Sequence, residues 1–469
     1  MKIYNTLSKS IEEFVPRDQD EVKMYTCGPT VYNYAHVGNL RTYIFEDIFE
    51  KTLNYIGYKV KRVMNITDVG HMTSDADAGE DKMLKGAKRE GKDVLEIAAF
   101  YTEAFFNDLN KLNIKKPDII VKATDLIDEY IKIISKLLET GHAYISNGNI
   151  YFDITKANDY YKLSGLKESD LLVGARDNVD EDKNKHNVFD FGLWFTSSKF
   201  DKQALKWDSP WGVGYPGWHI ECSGISMKYL GEYLDIHCGA VDNIFPHHTN
   251  EIAQSEAYLD HKWCNYWAHG EFLNDETGKM SKSKGEFLIL SLLENKGYKP
   301  LAYRFFCLGS HYRRQLVFSY ESLDIAAASY EKLLNRVKNI TSDDSIIDKE
   351  KAESYQATIK KALEDDLNTA NALTTLFEVI KDSNLNNNTK LFLIEDFDEV
   401  LSLDLLKKET KVIEDELVSE IESLIKERNA AKEQKDYNRA DKIREYLLSK
   451  GVVINDSREG TTYVVKEVK

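Results

Sequence analysis

The sequence predicts an α/β fold: a parallel-sheet domain interrupted by an insertion, then an α-helical bundle, then a small mixed unit at the end of the chain. Three observations predict it. Residues 21–67 read strand, loop, helix, strand; after about residue 310 the composition changes to long helical patterns with little Gly or Pro; and the last stretch sets two short β-rich runs around DSREG.

Each element follows from its pattern. EVKMYTC at 21–27 alternates like a strand, a loop with Gly, Pro and Asn follows, and 38–56 carry helical periodicity up to Gly57. YKVKRVMNIT at 58–67 is a second strand. That order is a βαβ unit, which places the loop from Cys27 to Asn39 at the carboxyl edge of a parallel sheet, where ligands bind. The pattern from about 92 to 140 is helical. From about 142 to 206 it is mixed and polar, with a charged run VDEDKNKH at 179–186, and reads as an insertion with an exposed loop. Strand-like and loop material rich in Trp, Gly and His at 207–250, a helix at 250–260 and a polar loop holding GKMSKSKG at 278–285 complete the sheet from distant segments. EKLLNRVKNI and TKLFLIEDFDEVLSL read as bundle helices. A Lys/Glu-rich helix at 413–435 leads to a terminal unit ending in the strand pair GVVIN and TTYVV.

The 469 residues, 42% of them hydrophobic, are enough for roughly three or four domains with a large buried core. A net charge of -16 argues against a uniformly basic surface but not against a local nucleic-acid face. Five cysteines lie far apart, as reduced thiols or metal ligands do, unlike a disulfide framework. The N-terminus has no signal-peptide core and no stretch reaches the ~18 apolar residues of a membrane span, so a cytoplasmic protein without a membrane partner is expected.

Thr30, His36, Val37, Gly38 and Asn39 stand where the first strand hands over to the first helix. There backbone N–H groups and the helix dipole favour an anion. Gly38 lets a ligand approach the backbone, and His36 can donate to phosphate oxygens. Far downstream, Lys279-Met280-Ser281-Lys282-Ser283 places two lysines where they could clamp a triphosphate, although surface lysines are usually only solvated. The two motifs in this order resemble the two signatures of class I aminoacyl-tRNA synthetases. Tyr25 to Tyr32 (YTCGPTVY), Pro216 to Ser223 (PGWHIECS) and Phe245 to Glu251 (FPHHTNE) resemble the cysteinyl members of that class, and the likeness runs over nearly the whole chain.

The resemblance implies a Rossmann-type catalytic domain in two halves (1–120 and 207–260) around a connective insertion (121–206). A signature-loop region (261–310), a tRNA-binding bundle (311–405) and an anticodon-binding domain (406–469) would follow. It implies His36, Asn39, Lys279 and Lys282 as catalytic residues, and Thr30, Gly38, Gly239 and Asp242 as further ATP contacts. It implies Cys27, Gly28, Thr67, Trp218 and His237 around cysteine, and Lys432, Tyr437, Asp441 and Asp456 at the anticodon. One zinc ion per chain would be held by Cys27, Cys222, His247 and Glu251. ATP with Mg2+, L-cysteine and tRNA(Cys) are the implied partners of a monomer.

Physical chemistry bears on this assignment. His247 and Glu251 are four apart, so at a helix start they share a face, and Cys27 ends a neighbouring strand. Read without the resemblance, Cys27 and Cys222 are equally buried apolar thiols, and His247 a helix cap. Cysteine and serine differ by one atom, which a shape-selective pocket separates by only about 1–3 kcal/mol, whereas a soft metal prefers thiolate to hydroxyl. Trp218 is equally consistent with plain core. The chain departs from the family's pattern at Cys238-Gly239-Ala240-Val241-Asp242, where a glycine pair before the aspartate is usual, and has Tyr437 and Tyr463 where Trp is usual. Cys238 has no assigned role. Two rivals stand beside this reading: a ligase that passes cysteine to a small amine, against which residues 310–469 count, and a catalytically silent scaffold, against which the intact motifs count.

Overall fold

The computed structural model describes residues 1–70, 83, 86, 91, 93–167, 185–196, 205–275, 278–279, 288–407, 415–433, 436–450, 452–457 and 460–465. They form two compact units, Met1–Leu406 and Lys407–Lys469.

Five parallel strands make the central sheet of the first unit: β1 (Val22–Thr26), β2 (Val60–Ile66), β3 (Ile119–Lys122), β4 (Leu234–Ala240) and β5 (Cys264–Gly270). Their order is β5-β4-β1-β2-β3. β1, β2, β4 and β5 are nearly continuous in buried residues, as strands covered on both faces must be. Chain order reverses direction between β1 and β4, so their carboxyl ends open a crevice at a topological switch point. Three helices position the side chains around it: α1 (Val37–Tyr55), α2 (Trp218–Leu230) and α3 (Thr249–Leu259).

Two elements differ from the sequence reading. The stretch 92–140 is a helix Val94–Lys111, then β3, then a helix Ile127–Glu139. β3 is a four-residue edge strand after Pro117-Asp118, too short to break a helical window. Within 207–250, α2 went unread because His219 to Ser226 are all buried. A helix packed all round has no polar stripe to give it a period.

Between β3 and β4 the chain forms the Ile127–Glu139 helix and a four-stranded antiparallel sheet, Ala143–Ser146, Asn149–Phe152, Phe191–Phe195 and Tyr215–Pro216, the last strand lying beyond the expected insertion at 121–206. Of the charged run at 179–186, all but Lys185 and His186 lies outside the described residues. Four bundle helices follow, Tyr320–Lys338, Lys349–Glu364, Thr369–Lys381 and Asn387–Leu401. Each starts on a side-chain cap, from Ser319, Asp348, Asn368 and Asn386 in turn, which satisfies an N-terminal N–H. The bundle shares one apolar core with α1. Fully buried Arg304 crosses that core, donating to Asp47 Oδ2 (2.7 Å) on α1 and to the carbonyls of Leu401 (2.7 Å) and Leu112 (3.0 Å).

The second unit packs two helices, Asp415–Glu433 and Tyr437–Ser449, against an antiparallel hairpin, Val452–Ser457 with Gly460–Val465. Its core is Ile421, Ile443, Leu447, Val452 and Ile454. No helix among the described residues is long and apolar enough to cross a membrane.

Candidate metal centre and nucleotide site

β1 delivers Cys27 to the switch point. The Cys27 N–H donates to the Cys238 carbonyl of β4 (3.3 Å), and the Gly28 N–H donates to Asn65 Oδ1 (2.7 Å). A Cβ on residue 28 would lie 1.7 Å from the Asn65 carbonyl oxygen, so only glycine allows this approach of β1 to β2. Asn65 Oδ1 also accepts from Tyr25 (3.2 Å). Its amide donates to Thr67 Oγ1 (3.0 Å), which donates to the buried Glu221 carboxylate (2.7 Å). Thr67 is thus held within a polar chain from β2 to α2, and its backbone bridges that of Thr30 just beyond the paired ends of β1 and β2.

Cys222 comes from the first turns of α2. A kinked turn, Ile244–His248, with Phe245 extended, runs into α3 and presents His247 and His248 in succession, one turn ahead of Glu251. Cys27, Cys222, His247 and Glu251 bring one donor atom each to within 4.8 Å of all the others. Cys27 Sγ and Cys222 Sγ are 3.9 Å apart, Cys222 Sγ and His247 Nε2 3.5 Å, and His247 Nε2 and Glu251 Oε1 3.0 Å. Donors about 2.0–2.3 Å from a tetrahedral ion stand about 3.3–3.8 Å apart, so two thiols, an imidazole and a carboxylate already approximate the edges of such a polyhedron. Buried donors of this kind fit zinc.

Each of the four donors feels burial and the charge of its neighbours. Burial pushes the Glu251 carboxyl up, but His237 and His247 overcome it and hold the carboxyl down at about 2. Burial works against the His247 imidazolium, yet Glu251 and Cys222 raise it to about 10. Burial, with Cys222 and Glu251 beside it, pushes the Cys27 thiol up. Burial acts on Cys222 in the same direction, but the Cys27 hydrogen bond and the His247 charge bring it below its ordinary value. A cation entering here must displace protons.

A ring of histidines surrounds this group. Buried His237 donates to Glu251 Oε2 (2.8 Å) and stacks on Trp267 with centroids 4.5 Å apart. His219 Nδ1 lies 2.9 Å from His247 Nδ1. His248 places Nε2 3.3 Å from Cys27 Sγ and Nδ1 2.8 Å from His269 Nε2; His269 Nδ1 in turn lies 2.7 Å from Thr6 Oγ1. A second donor set, Cys27, His237, His248 and Glu251, therefore shares two members with the first. Trp218 is half-buried, its ring centroid 4.4 Å from that of His247. Cys238 belongs to neither set. Strand alternation turns it to the other face of β4 from His237, into an apolar cluster with Phe45 and Phe49, and burial pushes its thiol up.

On the nucleotide side, His36 is the N-cap of α1 and forms a reciprocal cap with Asn39. The Asn39 N–H donates to His36 Nδ1 (3.1 Å) and the His36 N–H to Asn39 Oδ1 (3.3 Å). Gly38 lies against the His36 ring, 3.0 Å from where its Cβ would be. Gly239 and Asp242 stand at the carboxyl end of β4, Asp242 exposed and Gly239 packed so that a Cβ would lie 2.8 Å from the His248 ring. Lys279 pairs with Asn274 through its backbone; Lys282 lies outside the described residues.

Residues 13–329 match the model of the tRNA synthetases class I (C) catalytic domain, 358–405 that of the DALR domain, and 414–464 that of the cysteinyl-tRNA ligase anticodon binding domain. Cysteine–tRNA ligase of Treponema denticola is 48% identical to the chain over 99% of both sequences; that of Borrelia hermsii is 44% identical over 98% of both. The chain belongs to the cysteine–tRNA ligase family. Among solved structures, Mycobacterium tuberculosis methionyl-tRNA synthetase in complex with methionyl-adenylate superposes at a TM-score of 0.53 and 11% identity, over 82% of this chain and 91% of that one. The LeuRS–tRNA–LeuAMS complex of Agrobacterium radiobacter K84 does so at 0.56 and 10%, over 83% and 84%. At such identities they speak for the fold alone, that of a class I aminoacyl-tRNA synthetase.

Within the segment that matches the ligase anticodon-binding model, Tyr437 and Asp441 lie one turn apart on the same helix. Tyr437 is 61% exposed, and Asp436 caps the helix by accepting from the Arg439 N–H (3.1 Å). Lys432 ends the preceding helix half-buried, and Asp456 pairs with Thr461 in the hairpin. Tyr463 packs against the unit's core. Of the residues around the family's catalytic crevice, His219, His248, His269 and Glu221 were not singled out from the sequence. His219, Glu221 and His248 stand inside the quoted PGWHIECS and FPHHTNE motifs, and a polar residue on every side of a short helix was the available signal.

Proposed function

We propose that this chain activates L-cysteine with ATP to cysteinyl-adenylate and transfers it to the 3′ end of tRNA(Cys), with zinc distinguishing cysteine from serine. The observation that carries the reading is the group of half-buried Cys27 and buried Cys222, His247 and Glu251 at the switch point of a chain belonging to this family. Those four residues would hold one zinc ion, which when bound supplies a soft Lewis acid that favours a thiolate over a hydroxyl as an added ligand. His237 orients Glu251, and Trp218, beside His247, and Thr67, held by Glu221, would contact the cysteine side chain.

The cysteine carboxylate then attacks the α-phosphorus of ATP in line, and pyrophosphate leaves with the electron pair of the broken P–O bond. His36 and Asn39 at the positive end of α1, with Lys279 and Lys282, balance the charge that develops on the phosphates, together with the Mg2+ that ATP carries. Thr30, Gly38, Gly239 and Asp242 line the ATP side of the crevice. The terminal ribose hydroxyl of the tRNA next attacks the activated carbonyl and AMP leaves. No side chain in the sequence stands out as a base for this step, which positioning of the two reactants can drive. Lys432, Tyr437, Asp441 and Asp456 are the proposed anticodon contacts, Tyr437 as a stacking platform. The match of 414–464 to an anticodon-binding model supports a tRNA acceptor over a small amine.

The test is charging of tRNA(Cys) by the purified protein with radiolabelled cysteine, alongside zinc analysis. Charging with about one zinc per chain is expected. Adenylate formation without charging would overturn the tRNA assignment in favour of a small-amine acceptor.

A further inference from the structure

The two phosphate-handling motifs lie on separate parts of the chain, and a single side chain joins the elements that carry them. Arg41 stands on α1 two residues after Asn39 and is 5% exposed. Its Nη1 donates to the carbonyl oxygens of Glu271 (2.8 Å) and Phe272 (2.5 Å), and its Nη2 to those of Arg314 (2.6 Å) and His311 (3.4 Å). All four acceptors are main-chain atoms, so this bond set fixes where the backbone lies, whatever the side chains are.

Those carbonyls sit at the base of one small sheet. Glu271 and Phe272 lead from β5 into the strand Leu273–Asp275, whose Asn274 pairs with Lys279; His311 and Arg314 lead into Leu316–Val317, which pairs with Leu273 and Asn274 on the other side. The Glu271 N–H also donates to the Tyr312 carbonyl (2.8 Å), closing the base directly. Downstream of the Lys-Met-Ser-Lys-Ser motif the chain returns to the same helix. The Val37 N–H donates to the Leu288 carbonyl (2.9 Å), His36 bridges Ile289, and the Tyr303 hydroxyl donates to the Val37 carbonyl (2.7 Å). A planar guanidinium with five donors in a fixed fork can satisfy four carbonyls from two strands, whereas an ammonium with three donors on a flexible stem cannot.

We propose that Arg41 is a positioning residue of the adenylation step, setting the α1 turn that bears His36 and Asn39 in register with the strand pair that bears Lys279. It touches neither substrate. This rests on the adenylation reading given above, and it adds a residue whose identity is dictated by backbone carbonyls.

The experiment compares wild type, Arg41→Lys and Arg41→Ala as full-length zinc-loaded protein in cysteine-dependent ATP–pyrophosphate exchange, with folding followed by circular dichroism. Expected for both variants is a fall in kcat on the order of 10–100-fold with a raised KM for ATP, while KM for cysteine and zinc content stay within about twofold. Added guanidinium is expected to recover part of the rate of Arg41→Ala. Unchanged kcat and KM for ATP would overturn the proposal. So would equal losses toward ATP and cysteine, or two variants that do not fold, since either makes Arg41 merely structural. An inert wild type would instead sink the adenylation reading, and the proposal with it.

Discussion

Glu46 gives a stability prediction that runs against the usual direction of mutation. It lies on α1 fully buried, and neither carboxylate oxygen has a hydrogen-bond partner among the described residues. Burial pushes its pKa from the ordinary 4.5 up to about 8, with Arg62 pulling back only part of the way. Below the unfolded-state value both states hold the proton and nothing is lost. As pH rises toward about 8 the folded chain keeps a proton that the unfolded chain has released, so stability falls throughout that interval. At about 1.4 kcal/mol per tenfold, the shift from 4.5 to about 8 amounts to roughly 5 kcal/mol. Glu46→Gln keeps the shape and removes the ionisation. Urea unfolding followed by tryptophan fluorescence should therefore show variant and wild type within about 1 kcal/mol near pH 5 and the variant more stable by about 3–5 kcal/mol at pH 8.5, at equal m. A difference independent of pH, or a variant less stable at pH 8.5, would refute the reasoning.

Asp47→Asn acts on the same helix in the opposite sense. It leaves the fully buried Arg304 guanidinium without its 2.7 Å carboxylate partner, and a loss of about 3–5 kcal/mol is expected by urea titration; less than about 1 kcal/mol would contradict the role given to the pair. Gly28→Ala places a methyl 1.7 Å from the Asn65 carbonyl oxygen and must displace Cys27. Cysteine-dependent exchange should fall about 100-fold in protein that still folds, and near-wild-type exchange would mean that β1 can shift without cost. Glu251→Gln withdraws the carboxylate that holds His237 and His247, so chelator competition should show zinc affinity at least about 10-fold weaker; an unchanged affinity would remove Glu251 from the ligand set.

The sequence made some of this legible and hid the rest for identifiable reasons. β1, α1 and β2 were readable because apolar and polar residue types recur at strand or helix spacing along their sequences and Gly57 punctuates the turn between the last two. α2 was not, because its buried His219, Glu221, Cys222 and Ser223 give a helix with polar residues facing inward. β3 was too short to compete with the helices on either side. The resemblance supplied Cys27, Cys222, His247 and Glu251 together, and the four-residue spacing supported the last two. No periodicity could show that Thr6, His269 and His248 form a chain to Cys27, since its members are brought together only by the sheet order. Arg41 was invisible for a different reason: its partners are carbonyls, which every residue possesses.

On the proposed function, selection of cysteine over serine resides in the metal group at the switch point. ATP–pyrophosphate exchange with cysteine and with serine, measured before and after removal of zinc, tests it most directly. Exchange with cysteine alone, lost on chelation and restored by added zinc, is expected. Exchange that persists at full rate in zinc-free protein, or that serine supports as well as cysteine, would contradict it.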